Sequence, residues 1–152
     1  MGGVWGRINK KDFDRLLKKV ESLEQKEVDA LMVKCIDDIT EQFIESVKAK
    51  TPVVTGQLRG QWDEAKKNSK TVKTSRGYQR VLVNNKEYAS YVEWGHMQTP
   101  GRYVHAIRKR LKKRWVEGRY MMSKTEAEMN LRVDKLIQSN VDDFVSDKLG
   151  GK

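Results

Sequence analysis

Apolar side chains recur every third or fourth residue at Phe13, Leu16, Leu17, Val20 and Leu23, and again at Val28, Leu31, Met32, Cys35, Ile36, Ile39, Phe43 and Val47. That is the period by which a helix buries one face. Between the two runs, Glu24-Gln25-Lys26-Glu27 is polar all round, and Ser22 and Gln25 have capping-box spacing. The pattern predicts two helices with a break near residues 22–25, the first capped by Asp12. The second extends to about Lys50, roughly 39 Å at about 1.5 Å per residue. Pro52 ends it by pushing Thr51 out of the helical region. Cys35 lies on the apolar stripe and is read as a buried small hydrophobe rather than a nucleophile.

The pattern then changes period. Thr55-Gly56 and Gly60 punctuate what reads as a loop. Thr71–Thr74 and Tyr78–Val83 are β-prone and joined by Ser75-Arg76-Gly77, a hairpin signal, with Asn84-Asn85 closing the second strand. Residues 88–94 suit a strand or a short helix, and Gly95 directly after them favours the helix. From Thr99 to Met122 the chain is punctuated by Pro100, Gly101 and Gly118. It reads as a second hairpin or extended arm, with Arg102-Tyr103-Val104 on one leg, Trp115, Val116, Tyr120 and Met121 on the other, and residues 108–114 at the tip. A helix is the rival there, because Ile107, Leu111 and Trp115 are four apart. Ser123 and Thr125 each have a glutamate three residues on. They open a closing helix with Met129, Val133, Leu136, Ile137, Val141, Phe144 and Val145 on one face, stopped by Gly150-Gly151. The predicted fold is α+β over a single domain, residues 1–152. A long N-terminal helix and a C-terminal helix pack on a small, mostly antiparallel sheet that carries the arm at about 99–122.

Composition narrows the function classes. At 152 residues and 38% apolar content the chain can build one core, while 34% charged residues give it a heavily charged surface. No apolar run reaches the ~18 residues of a membrane span, and no apolar leader opens the chain, so neither membrane nor Sec export is expected. One cysteine excludes an intramolecular disulfide framework and a Cys-based zinc cluster, which fits folding in a reducing cytoplasm. The net charge of +10 is unevenly placed: residues 101–122 hold eight Lys/Arg against one Asp/Glu. Such a field attracts a polyanion or an acidic protein face; the plainer reading is a solvated basic loop.

Candidate chemistry is sparse. Glu93 and His96 are three apart and could share a helix face toward a metal, but two ligands do not make a site. No nucleophile elbow, phosphate loop or carboxylate cluster is present. The pattern argues mildly against an enzyme, and no cofactor is expected; a small nuclease using His96 and His105 is the enzymatic rival. Tyr103, Trp115 and Tyr120 interleave with the basic residues and could stack on bases, so sequence-independent nucleic-acid binding is the other alternative.

Three stretches together resemble a known family. Thr51-Pro52-Val53-Val54-Thr55-Gly56-Gln57-Leu58-Arg59 follows a long amphipathic helix. Tyr88-Ala89-Ser90-Tyr91-Val92-Glu93-Trp94-Gly95-His96 follows a hairpin. Gly101-Arg102-Tyr103-Val104 and the stretch Trp115–Met122 precede the closing helix. In this order they resemble the tail-completion (neck) proteins of tailed bacteriophages and prophages over residues 25–145. His96 and the long basic insertion after Gly95 depart from that pattern.

The resemblance implies a non-enzymatic subunit at the head–tail junction. It would form a homo-oligomeric, expectedly hexameric, ring around the DNA channel. Its neighbours would be head-closure and tail-terminator or tail-tube proteins, and its place the virion, after assembly in the host cytoplasm. The motif residues Thr51, Pro52, Thr55, Gly56, Leu58, Arg59, Tyr88, Tyr91, Glu93 and Gly95 are expected to be structural, with Tyr88, Tyr91, Val92 and Trp94 packing the sheet–helix joint. Glu93 should pair with an arginine such as Arg59 or face a neighbouring subunit. Arg102, Arg108, Lys109, Arg110, Lys112, Lys113, Arg114 and Arg119 are the candidate contacts to a partner protein or to channel DNA.

Overall fold

A computed structural model describes residues 14, 18, 20–21, 23–53, 56–148 and 150. Asp14, Lys18, Val20 and Glu21 are helical; Asp12, Ser22 and Thr55 lie outside the described residues. The long helix, α1 (Gln25–Lys50), has the predicted length. Its start is fixed by Glu27, whose carboxylate accepts the Glu24 N–H at 3.2 Å, two residues on from the expected capping pair. Thr51 stops it in extended conformation, as Pro52 requires.

A second helix, α2 (Gln57–Asn68), replaces the loop expected around Gly56 and Gly60. Gly56 stands at its N-cap with φ 76°, a conformation that favours glycine, and the Gly60 N–H bonds the Gly56 carbonyl at 2.8 Å. The helix forms despite an interior glycine because Leu58, Gln61, Trp62 and Ala65 are all buried on one side of it. Strands β1 (Val72–Thr74) and β2 (Gly77–Gln79) form the predicted hairpin. It is tied to α1 by Asp29, which accepts the Tyr78 hydroxyl and pairs with Lys73 at 3.0 Å.

Helix α3 (Ala89–Trp94) ends at Gly95, as the glycine foretold. Strands β3 (Gly95–Met97) and β6 (Trp115–Glu117) pair antiparallel, as do β4 (Tyr103–Val104) and β5 (Lys109–Arg110). The closing helix is two helices, α4 (Met121–Asn130) and α5 (Val133–Lys148), parted at Leu131–Arg132.

The α+β class holds, with three two-stranded ladders among the described residues. The core is a meeting of helices: Ile44 and Val47 of α1, Leu58 and Trp62 of α2, and Met121 of α4. Leu82, from the segment after the hairpin, and Ala89 and Val92 of α3 pack against it. Trp62 is only 2% exposed, and its indole N–H donates to Thr51 Oγ1 at 3.0 Å. The Thr51 hydroxyl in turn donates to the Val47 carbonyl at 2.7 Å and touches Met121 Sδ at 3.4 Å. One buried threonine thus joins α1, α2 and α4, with the polar group of each partner satisfied.

Candidate functional site

The candidate site is the arm, and its root is built from two glycines and a carboxylate. The chain leaves α3 through Gly95 (φ 85°), runs out along β3 and β4, and returns along β5 and β6 to Gly118. A Cβ on Gly118 would lie 2.2 Å from the Glu93 carbonyl oxygen, and one on Gly95 would lie 2.4 Å from the Val116 carbonyl oxygen. Only glycine lets the two legs cross this closely. The return leg is stitched to α3 by the Arg119 N–H to Val92 O at 2.7 Å and the Tyr120 N–H to Glu93 O at 3.0 Å.

Glu93 is 5% exposed and turned inward. Its two oxygens accept the N–H groups of Met122 and Ser123, each at 2.9 Å, and the Ser123 hydroxyl at 2.7 Å. These are first-turn donors of α4, which have no partner inside their own helix. A side chain from α3 therefore caps α4 and places a negative charge at the positive end of its dipole. Burial alone pushes the carboxyl pKa up. The Met122 and Ser123 donors outweigh it, and the net pKa lies below the ordinary glutamate value. This overturns both expectations for Glu93. Its carboxylate is buried against α4 of its own chain, it forms no ion pair among the described residues, and Arg59 lies exposed on α2. The same capping removes Glu93 from any metal pairing with His96, whose ring packs on Tyr91 at 5.5 Å and whose Nδ1 is buried without a hydrogen-bond partner.

Outward from the root the legs continue as one long hairpin. Gln98 donates to Arg114 at 2.8 Å, Leu111 donates to Arg102 at 2.8 Å, and Gly101 donates to Leu111 at 2.8 Å, so the ladders β3–β6 and β4–β5 are joined through the middle. The tip is the short 3-10 turn His105–Ile107 followed by Arg108 in left-handed conformation (φ 49°). The arm is a hairpin, as expected, but turns earlier than residues 108–114; the rival helix does not form. Between residues 99 and 114 every residue except Val104 and Leu111 is exposed.

The structure brings the predicted cations together on this hairpin. Arg102, Arg108, Lys109, Arg110, Lys112, Lys113 and Arg114 are all exposed, and Arg119 lies at its root. None of them forms an ion pair among the described residues, whereas the helices and the β1–β2 hairpin carry several, such as Lys50–Glu128 at 2.5 Å and Arg80–Asp37 at 2.8 Å. Arg110 donates to the Gly101 carbonyl across the hairpin at 2.8 Å.

The motif aromatics correct a second expectation. Val92 packs on the core, but Tyr88, Tyr91 and Trp94 are exposed. With Met97, Trp115 and Tyr120 they leave aromatic and thioether surface around the arm's root, including an edge-to-face pair of Trp94 and Tyr120 at 6.0 Å. Along this stretch Val92 and Glu93 face inward while Tyr88, Tyr91 and Trp94 face out.

No helix among the described residues is long and apolar enough to cross a membrane, and no group of three or more potential metal ligands is found among them. No curated protein and no solved structure matches the chain significantly. Residues 14–95 match a sequence family described as "Bacteriophage HK97-gp10, putative tail-component". The match covers α1, α2, the β1–β2 hairpin and α3, and stops at the glycine where the arm begins. The chain belongs to this HK97-gp10-like family of phage tail components.

Proposed function

We propose that the chain is a structural subunit of the phage head–tail junction, a neck or tail-completion ring that joins the tail to the head-closure ring around the DNA channel. In this reading it folds as one unit, assembles with copies of itself, expectedly six, and works without a cofactor. Its neighbours are the head-closure and the tail-terminator or tail-tube proteins. It is made in the host cytoplasm and ends in the virion.

The observation that carries the reading is the arm. Seven Lys/Arg without ion pairs among the described residues stand on an exposed hairpin whose root is clamped into the helical body. A merely solubilising loop has no need of a capped, doubly crossed root. A ring repeats the arm at one level, where it would grip an acidic rim on the adjacent ring.

The test reverses Arg108, Arg110, Lys112 and Arg114 to Glu. The folded body should keep its melting temperature, and head–tail joining should be lost, as seen by electron microscopy of infected-cell lysates. Normal infectious particles would overturn the reading.

The same unpaired cations, interleaved with Tyr103 and Trp115, support a second reading as a sequence-independent nucleic-acid contact. Under it, the purified chain shifts generic duplex DNA strongly at low salt without any phage partner. Under the first reading, joining depends on the neighbouring ring, and free duplex is held weakly at physiological salt.

A further inference from the structure

We propose that the extended segment Arg80–Asn85 is an open strand edge that receives β3 of a second copy of this chain, edge to edge and head to tail. The inference rests on the ring reading above, since it takes the neighbour to be the same chain.

The segment is built like a strand and lacks a ladder. Val81 is 64% exposed, Leu82 packs against the core and Val83 is 54% exposed, which is the alternation of a pleated strand. Both ends are pinned. The Arg80 guanidinium donates to Ser69 Oγ at 2.8 Å, to the Lys66 carbonyl at 2.7 Å and to Asp37 at 2.8 Å. The Asn84 side-chain amide donates to the Leu58 carbonyl at 3.2 Å. Yet β2 stops pairing at Gln79, and the backbone N–H and C=O groups of residues 81–83 have no hydrogen-bond partner among the described residues. A segment with a strand's alternation, pinned at both ends and with its amides unpaired, is the template for strand addition.

The occupant follows from charge and from what other edge is free. The groove beside the segment is lined by Gln61, Ala65, Ser69, Val81, Val83 and Asn85, with no charged side chain, in a chain that is 34% charged. A cationic strand or a phosphate backbone finds no counter-charge there. On the arm, the two legs differ. The β5–β6 leg carries Lys109, Arg110, Lys112, Lys113 and Arg114, whereas residues 95–101 contain no Lys, Arg, Asp or Glu. Strand β3 pairs with β6 on one edge only, and its Met97 is 59% exposed. Each subunit thus offers two different, neutral, extended edges. Joining unlike edges is a heterologous contact, which propagates around a ring, where joining like edges would stop at a dimer.

Cysteine pairing tests this directly, in a Cys35→Ala background. One chain carries Val83→Cys with Met97→Cys, another Val81→Cys with Met97→Cys. Cross-strand neighbours lie within the Cα separation a disulfide spans, about 4.4–6.8 Å. On oxidation, at least one of the two chains should give a reducible ladder of covalent multimers on a denaturing gel. Met97→Cys alone, and Val83→Cys with Lys113→Cys on the other leg, should not. A companion variant with the native cysteine, Val83→Lys, should keep its melting temperature and lose self-association in sedimentation. Rings that assemble with no ladder from either chain, or a Val83→Lys chain that assembles normally, would overturn the strand pairing and leave the ring reading standing. A chain that stays monomeric at every concentration and on tails would sink both.

Discussion

Glu93 Oε1 receives both the backbone N–H of Ser123, at 2.9 Å, and its hydroxyl, at 2.7 Å, across 30 residues of chain. This contact closes the arm's root, because everything between the two residues is the arm and its two crossing glycines. Glu93→Gln keeps the shape and weakens the cap; Glu93→Ala strands the first-turn donors. Hydrogen bonds to a charged group contribute about 1.5–3 kcal/mol each, so the alanine variant should lose at least about 2 kcal/mol in chemical denaturation. The glutamine variant should lose less.

The same carboxylate sets a pH dependence. Its pKa in the folded chain lies below that of an ordinary glutamate, chiefly because the Met122 and Ser123 donors overcome the cost of burial. A depressed carboxylate pKa contributes stability that is complete above the unfolded value, about 4.3, and is lost as pH falls through the folded value. Thermal melts of the wild type between pH 6 and strongly acidic conditions should show a decline that Glu93→Gln flattens. Parallel curves for the two proteins would contradict the capping role.

Trp62 and Thr51 should be coupled. Thr51→Val keeps the volume but leaves the buried indole N–H without its acceptor, a cost of about 1–3 kcal/mol. Trp62→Ala empties a fully buried site and should cost about 3–5 kcal/mol. In the double variant the hydrogen-bond loss is counted once, so the two costs should add to less than their sum in a double-mutant cycle.

Gly118→Ala tests the root without touching a charge. The new methyl would meet the backbone of Glu93 and Trp94, at 2.2 and 2.6 Å, and backbone cannot step aside as a side chain can. A destabilisation of about 1–3 kcal/mol is expected, together with faster hydrogen exchange at the Arg119 and Tyr120 amides. Unchanged exchange at those two amides would show that the crossing does not need glycine.

Asp29 is held at a pKa of about 2, first by the Tyr78 hydroxyl, then by Gln25 and Lys73. Carboxyl chemical shifts should place it there in the wild type, and Tyr78→Phe should move it up toward the usual range. The Tyr78 hydroxyl pKa is itself raised, because the proton it donates in a hydrogen bond to the Asp29 carboxylate is held more tightly.

What the sequence shows depends on how far apart the interacting residues stand. The long helix is legible to its ends, because its apolar stripe is long and Pro52 marks the stop. The β1–β2 hairpin and the Gly95 helix stop are legible because their turn glycines act on adjacent residues. Helix α2 is hidden by its own glycines: Gly56 and Gly60 look like loop punctuation, while the buried set Leu58, Gln61, Trp62 and Ala65 has helical spacing. The break at Leu131–Arg132 is hidden because the apolar stripe runs on through it. The arm's basic content is plain in composition, but its register is set by pairs such as Met97 with Trp115, which no local pattern fixes. Glu93 is the hardest case. Its partners lie 29 and 30 residues onward, and nothing near it in sequence says it turns inward.

The family match ends at Gly95, and both legs of the arm leave the body through the same three-residue ladder at β3 and β6. One residue added to each leg would move the tip outward by about 3.4 Å without disturbing a helix, a cap or a buried side chain. Paired insertions in the two legs can therefore tune the arm's reach while the helical body keeps its shape.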